Sequence, residues 1–102
     1  MVDKRLHARV PIDATLVCEH AGGASFAVYA KDISVGGMYL DASEPPPPFG
    51  TNVTMVGLLP GAKKEVRLPA VVRWTKPGGF GVQFGLLGAM ETHVISELMK
   101  NG

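Results

Sequence analysis

The sequence predicts a mainly β domain of six short antiparallel strands, forming a barrel or sandwich that is plugged by one amphipathic helix near the C-terminus. Three observations predict it. Apolar and polar residues alternate over short runs from residue 14 to residue 84. Turn-forming clusters separate these runs at close spacing, among them His20-Ala21-Gly22-Gly23, Ser34-Val35-Gly36-Gly37 and Lys76-Pro77-Gly78-Gly79. After Gly85 the apolar period lengthens to that of a helix.

Residues 1–11 are charged and carry neither period, so they read as an arm leading into a barrel that occupies residues 12–102. Pro11 confines Val10 to extended conformations. The first strand is expected over residues 14–19 and the second over 26–33, with Phe26, Val28 and Ala30 on one face. Met38 and Leu40 alternate against Tyr39 and Asp41 in the third. Pro45 to Pro48 excludes ladder hydrogen bonds and reads as a stiff, polyproline-like connector within the domain. A fourth strand covers residues 53–58. The fifth has the clearest period: Val66, Leu68, Ala70, Val72 and Trp74 share one face, which places Trp74 in the core, and Pro69 marks an edge or a bulge. Phe80, Val82 and Phe84 alternate with Gly81, Gln83 and Gly85 in the sixth. Leu87, Met90, Val94, Ile95, Leu98 and Met99 then define a helix over residues 89–100.

Composition narrows the function. A chain of 102 residues with a formal net charge of +1 is one domain without the basic excess of a DNA- or RNA-binding protein. The aromatics Phe26, Trp74, Phe80 and Phe84 are assigned to the core, which leaves few platforms for stacking single-stranded bases. The first residues contain no apolar signal region and no run is long enough to span a bilayer, so a cytoplasmic protein is expected, as monomer or homodimer. Cys18 is the single cysteine and reads as a small buried hydrophobe. His7, His20 and His93 are scattered over an arm, a turn and a helix. With no metal-ligand spacing and no phosphate-binding glycine loop, neither an enzyme nor a bound metal or cofactor is expected.

Two local features stand out. Arg5-Leu6-His7-Ala8-Arg9 places two arginines four apart in the arm. Asp32-Ile33-Ser34-Val35-Gly36-Gly37 places an acid, a hydroxyl and two glycines where a strand ends. Either alone is ordinary arm or turn chemistry. In this order, on a barrel-like pattern, they resemble the PilZ family, whose signature is Arg-x-x-x-Arg followed by Asp/Asn-x-Ser-x-x-Gly. Arg5, Arg9, Asp32, Ser34 and Gly37 match it. The Val72-Arg73-Trp74 segment and the Phe80-Gly81-Val82-Gln83-Phe84 strand before a helix resemble the family's C-terminal half. The resemblance implies a six-stranded antiparallel PilZ-like barrel.

It also implies a ligand, cyclic di-GMP. Guanine offers O6 and N7 to a planar guanidinium, and the anionic phosphodiesters suit the same groups. Asp32 is able to accept from the guanine N1/N2 edge, Ser34 to bond base or phosphate, and Gly37 to give clearance. Ancillary contacts are expected at Lys4, Gly36 and Arg73. Lys4 is the position expected to influence whether one ligand or a stacked pair is held. Arg5 and Arg9 are about 13 Å apart if fully extended, so the arm must bend to bring both onto one ligand. The implied function is a receptor that orders this arm and signals through a separate effector protein. The alternative is an adaptor that has ceased to depend on nucleotide, of the kind that serves pili or motility.

Overall fold

The computed structural model describes residues 9–101. It contains β1 (Val10–His20), β2 (Phe26–Ile33), β3 (Gly37–Asp41), β4 (Asn52–Gly57), β5 (Val66–Lys76), β6 (Gly79–Phe84) and α1 (Ala89–Asn101). The strands close into a barrel in the order β1-β2-β3-β6-β5-β4, every neighbouring pair antiparallel. Closure through β1 and β4 leaves no unpaired sheet edge in the barrel. Leu16, Cys18, Ile33, Met38, Leu40, Met55, Leu68, Val72 and Phe80 fill the interior. These are the inward halves of the alternating runs, so the expected strands form in the expected phase. On α1, Ile95 is buried in the same core, with Val94, Leu98 and Met99 packed beside it. Glu91 in the first turn and Lys100 in the last suit the helix dipole.

Two expectations change, and one about Pro69 is met. β1 begins at Val10, not residue 14, because Val10 pairs with Ile33 and Pro11 with Asp32 before an irregularity at Ile12 and Asp13. The arm is therefore shorter at its C-terminal end than residues 1–11. Pro69 stands at a local edge, as expected: it faces Thr54 of β4, while the β6 ladder ends at Ala70 opposite Phe84 and leaves Pro69 without a β6 partner. Its carbonyl accepts from Gly85 N at 2.8 Å. Trp74, expected inside, is 45 % exposed.

Two bulges explain how the outer face is dressed. In β2, Ala30 faces Leu40 and Asp32 faces Tyr39, so Lys31 is the extra residue. In β5, Val72 faces Val82 and Trp74 faces Gly81, so Arg73 is the extra residue. A bulge reverses the phase of everything beyond it. Continued alternation from Val28 and Ala30 would turn Asp32 inward, and alternation from Val72 would do the same to Trp74. The bulges send both outward.

Cys18 is completely buried. Burial, and secondarily the charge of Glu19, pushes its thiol up to about 11. Thiolate is the nucleophile, so native protein at pH 8 is expected to resist iodoacetamide and to be alkylated once unfolded in guanidinium, as read by mass spectrometry. Because the folded state keeps the proton that the unfolded state loses near pH 9, this group's contribution to stability falls as pH rises from about 9 toward 11.

Candidate functional site

The turn between β2 and β3 is built by Ser34. Its Oγ accepts from Gly36 N at 3.1 Å and Gly37 N at 3.2 Å and donates to the Gly37 carbonyl at 3.4 Å. Ser34 N donates to the same carbonyl at 2.8 Å, and the side chain is almost wholly buried. Ser34 thus spends its hydrogen bonds on the turn. Gly37 is likewise buried, and a Cβ there would run into the Val82 carbonyl of β6. Its clearance is used by the sheet, where β3 and β6 approach. Gly36 ties the turn to the same strand, its carbonyl accepting from Phe84 N at 2.8 Å.

This rigid turn ends the strand that carries Asp32. Arg9 reaches Asp32 by two bonds, Nε at 3.0 Å and Nη2 at 2.6 Å, both to Oδ1. The side chains are 37 % and 31 % exposed. Arg9, from the first half of the signature, is thereby brought against Asp32, from the second, across 23 residues of sequence. The pair uses neither Arg9 Nη1 nor Asp32 Oδ2. Among the described residues, Arg9 Nη1 and Asp32 Oδ2 make no other side-chain hydrogen bond. Arg5, Lys4 and His7 lie outside the described residues.

Continuing along the rung from Asp32, the register runs to Tyr39, Gly81 and Trp74. Tyr39 and Trp74 stack with ring centroids 5.3 Å apart and planes within 4°. A Cβ on Gly81 would enter the Trp74 ring, so glycine is what lets the indole lie against the sheet. The nearby Asp41 carboxylate, by favouring the protonated Tyr39 hydroxyl, is the main cause of that group's raised pKa, followed by burial and by the charges of Asp41 and Asp32. Arg73, the bulge residue, is exposed and donates from Nε to Gln83 Oε1 at 2.7 Å. Gln83 faces Gly37, so Arg73 stands beside the turn.

Tyr39 and Trp74 were not among the residues expected at the site. The available signal was Gly81: a glycine at an outward position opposite an aromatic marks a ring lying flat on the sheet. Among the described residues, no group of His, Cys, Asp or Glu is placed to hold a metal. No described helix is long and apolar enough to cross a membrane.

The Arg9–Asp32 pair and the hydroxyl-braced turn lie on the outside of a closed antiparallel barrel whose interior is filled by apolar side chains. The PilZ domain matches residues 3–99, and the chain belongs to that family. Among curated proteins none matches the chain significantly. Several solved structures share the fold. The inhibitor of motility MotI/DgrA of Bacillus subtilis superposes with a TM-score of 0.75 at 16 % identity, covering 92 % of this chain and 48 % of that one. The PilZ domain of CeSA from a cellulose-synthesizing bacterium gives 0.73 at 22 % identity, covering 89 % and 93 %. MrkH of K. pneumonia, solved as a c-di-GMP complex, gives 0.73 at 18 % identity, covering 98 % and 52 %. The chain thus spans about half the length of MotI/DgrA and MrkH.

Proposed function

We propose that this protein is a non-catalytic receptor for cyclic di-GMP that passes its signal to a separate partner protein. The observation that carries the reading is the Arg9–Asp32 pair, held at the head of the Ser34 turn with donor and acceptor atoms to spare. Arg9 supplies the fork for a guanine O6/N7 edge or a phosphodiester, and Asp32 the acceptor for N1–H and N2–H₂. Ser34 and Gly37 serve the ligand indirectly, by fixing the turn that aims Asp32. Arg5 joins Arg9 on the ligand, and that shared grip fixes the arm and changes the surface a partner meets. Membership of the PilZ family and the c-di-GMP complex of MrkH support the same ligand.

The energetics are consistent with micromolar binding. That affinity needs about 8 kcal/mol. Each good arginine–guanine pair contributes roughly 1–3 kcal/mol of discrimination. Two arginines, Asp32 and stacking on the Trp74–Tyr39 rings reach this range after the cost of ordering groups on binding.

The chain holds a single tryptophan, and it stands on the same rung as Asp32. Adding cyclic di-GMP is therefore expected to change Trp74 emission saturably. An emission spectrum unmoved at millimolar ligand contradicts the proposal.

A further inference from the structure

The outer face of the barrel carries a second rung built like the first. One step along β3 from Tyr39, past Leu40, the register runs Tyr29, Asp41, Gly79, Lys76 across the same four strands. The first rung holds an acid, an aromatic and a glycine beneath a ring, with Arg9 as its cation. The second holds an aromatic, an acid and a glycine, with Lys76 as its cation. A Cβ on Gly79 would strike the Tyr39 hydroxyl and the Leu40 carbonyl, so glycine again lets a ring lie close. The two rungs are about 7 Å apart along the strands.

Against the second rung lies an open groove of about 630 Å³, whose walls include Tyr29, Asp41 and Lys76 and, from the first rung, Tyr39. Its lysine is already set over a ring, Lys76 Nζ lying 5.0 Å from the Tyr39 centroid, and outside the groove Lys31 Nζ lies 5.3 Å from the Tyr29 centroid. Outward positions on a barrel are ordinarily solvated. Two tyrosines, a carboxylate and a lysine around one groove, adjoining the Arg9–Asp32 pair through Tyr39, suit a flat, anionic, donor-bearing group.

Resting on the receptor reading above, we infer that this groove is the subsite for the second guanine of one cyclic di-GMP molecule. A ligand with two identical bases is met by two similar rungs. Arg9 and Asp32 take the first base. Asp41 accepts from the N1/N2 edge of the second, Tyr29 offers it a stacking face, and Lys76 stands near the phosphodiester.

The test compares cyclic di-GMP with cyclic GMP–AMP by calorimetry. Adenine lacks the N1–H and N2–H₂ donors, so wild-type protein is expected to bind cyclic di-GMP about tenfold or more tightly than the mixed dinucleotide. Asp41→Asn keeps an acceptor for the Tyr39 hydroxyl but replaces the carboxylate with an amide that also suits adenine, so the ratio is expected to collapse toward one. Tyr29→Ala is expected to weaken both ligands. The inference is overturned, and the receptor reading kept, if the ratio survives Asp41→Asn and Tyr29→Ala leaves affinity unchanged while Arg9→Ala still abolishes binding. If wild-type protein binds neither dinucleotide, both fall.

Discussion

Arg9→Ala is expected to reduce affinity for cyclic di-GMP by about 100-fold or more, into the range where calorimetry records no saturable heat. The substitution acts twice. It removes the fork that meets guanine or phosphate. It also strips Asp32 of the guanidinium that neutralises it at 2.6 Å, leaving a bare carboxylate beside an anionic ligand. Stability should barely move, because a pair this exposed contributes about 0–1 kcal/mol. A melting temperature close to wild type with binding lost would therefore separate recognition from folding. Arg9→Lys tests geometry against charge: it keeps the positive charge but cannot make two parallel bonds, so recovery should be partial. Wild-type affinity in Arg9→Ala would contradict the site.

Gly37→Ala is expected to be the opposite kind of variant. The added methyl has no free volume, since backbone of β6 rather than a mobile side chain occupies its place. Relief requires β3 and β6 to separate at the rung where Gly37 faces Gln83, and that movement also strains the Ser34 bonds to Gly36 and Gly37. Overpacking of this sort costs about 1–3 kcal/mol. In a domain of this size that lowers the melting temperature by roughly 5–20 °C. Ligand affinity should fall as a consequence of the displaced turn, and excess ligand should recover part of the lost stability by mass action. An unchanged melting temperature would show that the β3–β6 approach is looser than described here.

The contrast between these two variants shows which parts of the site were legible in the chain. Alternation placed the six strands and most of their inward residues, and helical spacing placed the helix at residues 89–100, within one residue of the observed Ala89–Asn101, because burial on a barrel or helix imposes a strict period. The pairing of Arg9 with Asp32 was legible only as a resemblance, since no local pattern links residues so far apart in sequence. The outward turn of Trp74 was not legible. Arg73 is one inserted residue in an otherwise regular run, and a bulge leaves no mark in composition while it reverses every side chain beyond it. The roles of Ser34 and Gly37 were readable as turn chemistry, but not the direction they face. Whether a hydroxyl points at a ligand or at its own turn is decided by the strand beside it, here β6. The aromatic surface was underestimated for the same reason: Tyr29, Tyr39 and Trp74 lie on the outer face, where the sequence pattern had suggested few platforms.

A guanine-specific site around Arg9 and Asp32 would distinguish nucleotides by their bases, whereas a general phosphate site would not. Calorimetric titration of the wild-type chain with cyclic di-GMP, cyclic di-AMP and GMP tests it most directly. Saturable binding of cyclic di-GMP is expected at about micromolar affinity, with cyclic di-AMP weaker by at least about tenfold and GMP weaker still. Equal affinity for all three would leave only phosphate recognition and contradict a guanine-specific site.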